Sequence, residues 1–391
     1  MEKSKIVFVI HRYGLEVNGG AETLCRELAE RLLRYYETEV LTSCARDISW
    51  ENYYQPGKEL INGVQVHRFP AERKKDQERL DMLNQERLAG KEGADEAWIE
   101  ENGPYCPEVI EYLKEKQGEY KVIIFFTYSH YLTFAGIGLG LPHTIFVPLA
   151  HDEPNIYKAL YRKVFGQAKT FLFNTEEERK FVYSQFDVGE KPYRVTCMGI
   201  DLPDGTAREL PKQYKKYENY IIYVGRVAYT KNYAELNRYF IEYKEKHPSE
   251  LKLLVLGRIN SHYQIAYHED IEYLGFVSEE EKHLLMQNAK FLVLPSKTES
   301  LSIVLLESLV RCRPVLVNGY SPVLRGQCIR SNAGLYYTNY AEFEAEMEYL
   351  LNHPKEYREM GENGLRFVRE NYNWDFVLNN IISLIEEVGN T

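Results

Sequence analysis

Two carboxylates in one short stretch of the chain have the spacing of a ligand-binding site. Glu299 and Glu307 lie eight residues apart in the segment FLVLPSKTESLSIVLLESL, residues 291–309. Its apolar start predicts a buried strand, its polar middle a loop, and its end a helix that begins near Ser302. A loop that leads into a helix start can bind an anion, because free N–H groups and the helix dipole point at it. We therefore expect the chemistry here.

Two cations earlier in the chain would complete an anion site. Arg226 follows a predicted strand, and Lys231 stands five residues later, where the next helix should begin. Such cations can hold a phosphate at the carboxyl edge of a parallel sheet, although as a pair they fit an ordinary surface equally well. Glu307 would then bind ribose hydroxyls, and Glu299 the group beyond the phosphates. The backbone N–H groups expected to cradle the diphosphate belong to Ser300, Leu301, Ser302 and Ile303.

The elements that must position these residues follow an alternating strand and helix pattern, which is typical of doubly wound α/β domains. Residues 5–10 are a near-continuous apolar run and predict a strand buried on both faces. A loop that ends in Gly19 and Gly20 follows, and a helix is expected from Ala21. The second half of the chain repeats this plan from residue 219.

One segment of the first half departs from the pattern. Residues 71–103 are strongly charged, and we interpret them as part of a helical insertion over about residues 71–117. Leu80, Leu83 and Leu88 give it a weak apolar stripe. This insertion is interpreted equally well as a cover over the side of the domain that would bind an acceptor substrate and as a plain pair of solvated helices.

The length of 391 residues exceeds one compact core and predicts two domains. The net charge of −10 argues against a general nucleic-acid binder. Six scattered cysteines without paired spacing favour reduced thiols, and no signal peptide or membrane span is evident, so we expect a cytoplasmic protein. The predicted bounds are 1–204 plus a final helix 373–391 for the first domain, 205–218 for the linker and 219–372 for the second domain.

Taken together, these motifs resemble the family 4 retaining glycosyltransferases, which have the GT-B fold. The resemblance rests on the Glu-x7-Glu block in residues 291–317, on Gly225-Arg226 with Lys231, and on Gly19-Gly20. It implies two Rossmann-like domains that face a deep interdomain cleft, with the last helix crossing back to the first domain. It also implies transfer of a sugar from a nucleotide diphosphate with retained configuration and no metal, in agreement with the lack of an Asp-x-Asp motif.

The resemblance also assigns residues in the first domain. His151, in the sequence AHDEP, matches a histidine that contacts the donor sugar, and Asp152 is a weaker candidate for the acceptor side. Gly19 and Gly20 match a loop that closes over the donor phosphate and sugar, where the lack of a Cβ would permit close approach and positive φ. His130 is expected to lie outside the site.

Three residues depart from the family pattern. Glycine is usual at the position of Ser302 and common at those of Ser300 and Asn232. None of these changes removes a charged group, so the expected reaction class stands.

Other function classes can be weighed on the same residues. A retaining glycosidase would hold its two carboxylates ~5 Å apart, which the predicted loop and helix positions disfavour. A nicotinamide oxidoreductase would need a G-x-G-x-x-G loop that the first strand does not provide. A sugar-nucleotide epimerase and a sugar-nucleotide-binding scaffold without turnover stay open. The family implies a UDP- or GDP-hexose donor and a glycan or lipid-linked acceptor, with peripheral membrane contact open and the oligomeric state unknown.

Overall fold

A computed structural model describes residues 3–17, 19–196, 198–203, 209–260, 263–264 and 266–390. The chain divides into two units, Met1–Met198 with Val377–Thr391, and Gly199–Phe376. Cys197 and the start of the predicted linker, 205–208, lie outside the described residues.

The sheet of the first unit is built from apolar runs that are buried on both faces, as in β1, where Ile6 to Val9 are fully buried. The described strands are β1 (Lys5–Val9), β2 (Glu37–Ser43), β3 (Gly57–Ile61), β4 (Val64–Phe69), β5 (Val122–Phe126), β6 (Thr144–Val147), β7 (Phe171–Phe173) and β8 (Tyr193–Val195). Their order is β3-β4-β2-β1-β5-β6-β7-β8, parallel except for the β3–β4 pair. The sequence did not predict β3, because this exposed edge strand has no apolar run.

Helices of the first unit connect these strands. They are α1 (Gly20–Leu32), α2 (Gln77–Leu88), α3 (Ala94–Asn102), α4 (Pro107–Lys116), α5 (Tyr131–Gly138), α6 (Ala159–Gln167) and α7 (Glu176–Gln185). The predicted insertion is helical, and α3 buries Trp98 and Ile99 in the core of the unit. Leu80 and Leu83 are buried as expected, but Leu88 was wrongly assigned to the apolar stripe, since it is the last residue of α2 and 76% exposed.

The second unit repeats the plan with a fully parallel sheet. Its described strands are β9 (Tyr220–Val224), β10 (Lys252–Leu256), β11 (Ile271–Gly275), β12 (Leu292–Leu294), β13 (Val315–Asn318) and β14 (Gly334–Tyr337), in the order β11-β10-β9-β12-β13-β14. Its helices are α8 (Tyr233–Lys246), α9 (Glu279–Asn288), α10 (Ile303–Leu309), α11 (Pro322–Ser331), α12 (Tyr340–Asn352) and α13 (Pro354–Asn371). Two Rossmann-like sheets confirm the predicted fold class.

The last helix, α14 (Trp374–Gly389), belongs with the first unit over most of its length. The carboxylate of Glu386 accepts hydrogen bonds from Tyr36 Oη and Lys121 Nζ, both at 2.7 Å. His143 Nδ1 lies 2.8 Å from the carbonyl oxygen of Val388. These contacts fasten α14 to the elements around the first sheet.

If this helix is structural, truncating its buried face should destabilise the first unit. Leu384 is fully buried, so Leu384→Ala should lower the free energy of unfolding by about 3 kcal/mol through lost burial and a cavity. The matched control is Ser383→Ala, at an exposed position of the same helix, which should change it by less than about 0.5 kcal/mol. Urea unfolding of the wild type and the two variants measures both changes. A Leu384→Ala protein as stable as the wild type would contradict the packing of α14 on the first unit.

Candidate functional site: the switch point of the second sheet

The predicted site residues of the second unit meet where the order of its sheet reverses. Strand β10 pairs with one side of β9. Strand β12, which comes later in the chain, pairs with the other side of β9, where Leu292 lies opposite Ile222. The carboxyl ends of β9 and β12 are therefore neighbours, and such switch points are the usual ligand sites of open α/β sheets. Arg226 follows the first of these strands and Glu299 the second.

Lys231 and Glu299 form an ion pair at this edge. The Nζ atom of Lys231 lies 2.6 Å from Oε1 of Glu299, with side chains 28% and 17% exposed. Lys231 ends a short 3-10 turn, and the next residue, Asn232, donates a hydrogen bond from Nδ2 to the carbonyl oxygen of Pro295 at 3.1 Å. The turn after β9 is thus tied to the loop after β12. The sequence placed both residues in the site but did not show that they pair.

Arg226 has a fixed backbone and an exposed side chain. Its carbonyl oxygen accepts a hydrogen bond from Tyr223 Oη at 2.7 Å. Behind it, a Cβ at Gly257 would lie 2.0 Å from the carbonyl oxygen of Gly225, so only glycine permits this approach of the two loops. No carboxylate of the described residues lies within ion-pair distance of the Arg226 guanidinium. Its charge is available to an anion.

Glu307 is 9% exposed and held by two groups that sequence reasoning missed. Its Oε1 atom lies 2.9 Å from Lys282 Nζ and 3.3 Å from His283 Nε2. Burial opposes ionisation of this carboxyl, but His283 and Lys282 outweigh it and lower its pKa to about 2. Oε2 is buried without a hydrogen-bond partner. Lys282 and His283 lie about twenty-five residues away in sequence, on α9, so only the fold connects them to Glu307.

The same place contains the ligand types of a metal site. One potential ligand atom each of Glu279, His283 and Glu307 lies within 4.8 Å of the others. Lys282 already pairs with two of them, at 2.7 Å from Glu279 Oε2 and 2.9 Å from Glu307 Oε1. A divalent cation would have to displace this ammonium group, which reduces the attraction of the cluster for metal.

The start of α10 shows why glycine is usual at position 302. Ser302 has φ 73° and ψ 84°, a left-handed conformation that strains a residue with a Cβ. Asn232 is also left-handed, with φ 53°, but asparagine tolerates this region better than most residues. Helix α10 is only seven residues long, so its dipole contributes less than the sequence suggested. The carbonyl oxygen of Leu301 is fixed by the buried Gln327 at 2.8 Å, and Ser300 also has partners within the chain.

In the first unit, Gly19 precedes a buried carboxylate. Neither glycine uses the positive φ that it permits, since Gly19 is extended with φ −167° and Gly20 is the first residue of α1. A Cβ at Gly19 would lie 2.2 Å from Oε2 of Glu22, so the carboxylate is the reason that glycine fits. Burial would raise the pKa of Glu22, but His11, at 3.0 Å, and Arg12 hold it well below its usual range.

The switch point of the first sheet also brings two histidines together. His11 follows β1 and His130 follows the neighbouring β5, and their rings lie 3.8 Å apart between centroids. Burial holds the pKa of His130 well below its ordinary value. The prediction that His130 lies outside the site stays a prediction, but its contact with His11 was not foreseen from the sequence.

His151 and Asp152 lie in the loop after β6. His151 Nδ1 is 3.3 Å from the carbonyl oxygen of Leu149, and Nε2 is 3.7 Å from Oε2 of Glu153. Asp152 accepts a hydrogen bond from Tyr157 Oη at 2.7 Å. Their assigned roles, like those of Arg226 and Glu299, stay predictions, while the structure places each at the carboxyl end of a strand.

Comparison with known proteins agrees with this geometry. Residues 207–367 match the family model of the glycosyl transferases group 1. An uncharacterised glycosyltransferase of Methanocaldococcus jannaschii is 23% identical over 343 residues, which cover 80% of each chain. The structure resembles sucrose-phosphate synthase from Thermosynechococcus elongatus with a TM-score of 0.74, 14% identity and coverage of 98% and 99% of the two chains. It also resembles Anabaena HepE, solved with UDP and glucose, with a TM-score of 0.72, 12% identity and coverage of 98% and 100%.

These likenesses show the GT-B fold, and the match of residues 207–367 to the group 1 glycosyl transferase model supports glycosyl transfer as the class of activity. Among the described residues, no helix has the length and apolar character needed to cross a membrane.

The strain at Ser302 is directly testable. Ser302→Gly relieves the left-handed backbone, whereas Ser302→Ala removes the hydroxyl but keeps the Cβ. The glycine variant should therefore be more stable than the alanine variant by about 1 kcal/mol in urea unfolding. Equal stabilities of the two variants would show that the position is not strained.

The ion pair at Glu307 predicts a pH dependence of stability. A carboxyl whose pKa is about 2 in the folded protein and has its ordinary value of 4.5 in the unfolded chain stabilises the fold above pH 4.5, and it loses this contribution as pH falls toward 2. The stability lost on this acidification, measured by urea unfolding, should be about 3 kcal/mol smaller in Glu307→Gln than in the wild type, while other carboxylates such as Glu22 contribute equally in both proteins. Glu279→Gln, an exposed carboxylate of the same cluster, is the control and should retain the slope.

Proposed function

We propose that the protein is a metal-independent retaining glycosyltransferase. In this proposal it moves a hexose from a UDP- or GDP-linked donor to a glycan or lipid-linked acceptor. The wider role would be cell-surface polysaccharide synthesis in the cytoplasm, with peripheral membrane contact as an open alternative. The retaining mechanism and the acceptor class rest on the resemblance to family 4 enzymes.

One observation carries the proposal. The exposed Arg226 and the Lys231–Glu299 pair lie together at the switch point of the second sheet, inside the segment that matches the family model of the glycosyl transferases. Two cations beside a carboxylate suit a donor whose diphosphate is anionic and whose sugar carries hydroxyl groups. In this arrangement Arg226 and Lys231 bind the diphosphate, and Glu299 accepts hydrogen bonds from the sugar.

Glu307 supplies the nucleoside contact in this proposal. Its side chain is 12% exposed, and Lys282 and His283 hold its carboxylate in place, where in this proposal it accepts a hydrogen bond from a ribose hydroxyl. Because the pKa of Glu307 is about 2, the carboxylate is ionised at neutral pH and acts only as an acceptor. The complex of Anabaena HepE with UDP and glucose supports a UDP-hexose as the first donor to test.

The proposed reaction relies on charge stabilisation. As the nucleoside diphosphate leaves, negative charge grows on its oxygens, and each positioned donor contributes roughly 3 kcal/mol to the transition state. The anomeric carbon gains positive charge, and the acceptor hydroxyl attacks from the face that the leaving group vacates. The leaving phosphate takes the proton of this hydroxyl. Glu299 holds the sugar and forms no covalent intermediate, and His151 keeps the donor-contacting role that the resemblance to family 4 enzymes implies.

The decisive experiment combines binding and turnover. UDP and UDP-glucose binding is measured by calorimetry, and transfer or donor hydrolysis is measured with a crude glycan-lipid fraction in the presence of EDTA. Arg226→Ala and Glu299→Ala should each lower kcat by about 100- to 1000-fold while the proteins stay folded. Lys212→Ala, an exposed cation outside the site, is the control and should keep full activity.

The outcomes separate the alternatives. Full activity of Glu299→Ala would exclude the proposed mechanism, and loss of activity in EDTA would exclude metal independence. Donor binding without any turnover would favour a sugar-nucleotide-binding scaffold, whereas conversion of the free donor to an isomer would indicate an epimerase.

A further inference from the structure

Another buried carboxylate of the first unit has no role in the reaction described so far. Glu178, in the first turn of α7, is 1% exposed. Its Oε1 atom accepts a hydrogen bond from the backbone N–H of Ala150 at 2.7 Å, and its Oε2 atom accepts one from that of Asn174, also at 2.7 Å. No cation of the described residues pairs with it. An acid in such a setting is costly to bury and occurs most often near functional sites.

The two N–H groups belong to neighbouring strand ends. Ala150 lies in the loop after β6, directly before His151, and Asn174 directly follows β7. A glutamate in the first turn of a helix ordinarily bonds to the N-cap backbone of its own helix. Glu178 bonds to the backbone at the start of its own helix, and through Ala150 it also reaches across to the adjacent strand connection. It is therefore a tie between two loops at the carboxyl edge of the sheet.

The loop that Glu178 holds has a backbone that needs support. Leu149 is left-handed with φ 54°, an unfavourable conformation for a leucine. The carbonyl oxygen of this same residue lies 3.3 Å from Nδ1 of His151. The orientation of the imidazole thus depends on a strained peptide that Glu178 fixes from the other side. Strained backbone of this kind persists only where surrounding contacts determine it.

We propose that Glu178 is a positioning residue that sets the place of the His151 imidazole by tying its loop to the end of β7. This inference rests on the proposed function in so far as His151 takes part in sugar transfer. Burial also raises the pKa of Glu178 to about 8, against the opposing effect of the backbone N–H groups. The measurements on Glu178 and its variants are therefore made at about pH 9, above this pKa, where the group is ionised and both oxygens accept hydrogen bonds.

The test replaces one carboxylate oxygen of Glu178 with an amide nitrogen and keeps the shape of the side chain. In Glu178→Gln the amide nitrogen must face a backbone N–H group, so one of the two hydrogen bonds is lost. The matched control is Glu176→Gln, an exposed residue of the same helix turn that pairs with Arg179. Ring-proton NMR signals of His151 are assigned with His151→Gln, and His353 of the second unit is the internal reference.

Glu178→Gln should shift the His151 signals, leave those of His353 in place and lower kcat by about 100-fold with the UDP dissociation constant unchanged. Glu176→Gln should change none of these quantities. A folded Glu178→Gln protein with unshifted His151 signals would overturn the proposal, as would a kcat loss no larger than that of the control.

A second variant and the wild-type result separate failure of this proposal from failure of the proposed function. If Glu178→Gln does not fold, Glu178→Asp retains the charge but is one methylene shorter, and it should shift the same His151 signals to a smaller degree; unshifted signals there would overturn the proposal. If the wild type neither binds UDP nor transfers sugar, the proposed function fails, while the NMR comparison still decides whether Glu178 positions His151.

Discussion

Burial of the parallel strands on both faces is the constraint on which the rest of the structure depends. Strands such as β1, with Ile6 to Val9 fully buried, place their side chains in the core and leave little of their length for charged groups. Polar chemistry must then collect where the strands end. In the second unit the reversal of strand order brings the ends of β9 and β12 side by side, and Arg226, Lys231 and Glu299 lie there.

Carboxylates with little solvent exposure are paired with Lys, Arg or His side chains in both units. Glu307 has Lys282 and His283, Glu299 has Lys231, and Glu22 has Arg12 and His11. An uncompensated carboxylate would take up a proton on burial, whereas these partners keep Glu307 and Glu22 ionised and able to accept hydrogen bonds. Glu178 differs because it has backbone N–H groups in place of a cation, and burial outweighs their opposing effect and raises its pKa to about 8.

Left-handed backbone recurs at the loops of both candidate regions. Ser302 and Asn232 flank the cation–carboxylate pair, and Leu149 precedes His151. Each is a residue with a Cβ in a conformation that glycine adopts more easily. The surroundings hold each in place, through Gln327 for the start of α10, through Pro295 for the turn after β9, and through Glu178 for the loop after β6.

The sequence by itself determined the elements whose signals are local. Apolar runs identified the strands of both sheets except β3, and the order of elements indicated two doubly wound units. The spacing of Glu299 and Glu307 located the candidate site because both follow one strand. Only the tertiary structure decided the contacts between residues far apart in the chain. Pairing of Glu307 with Lys282 depends on the packing of α9 against α10, and pairing of Glu178 with the loop of His151 depends on β6 and β7 being neighbours. No local spacing encodes either contact.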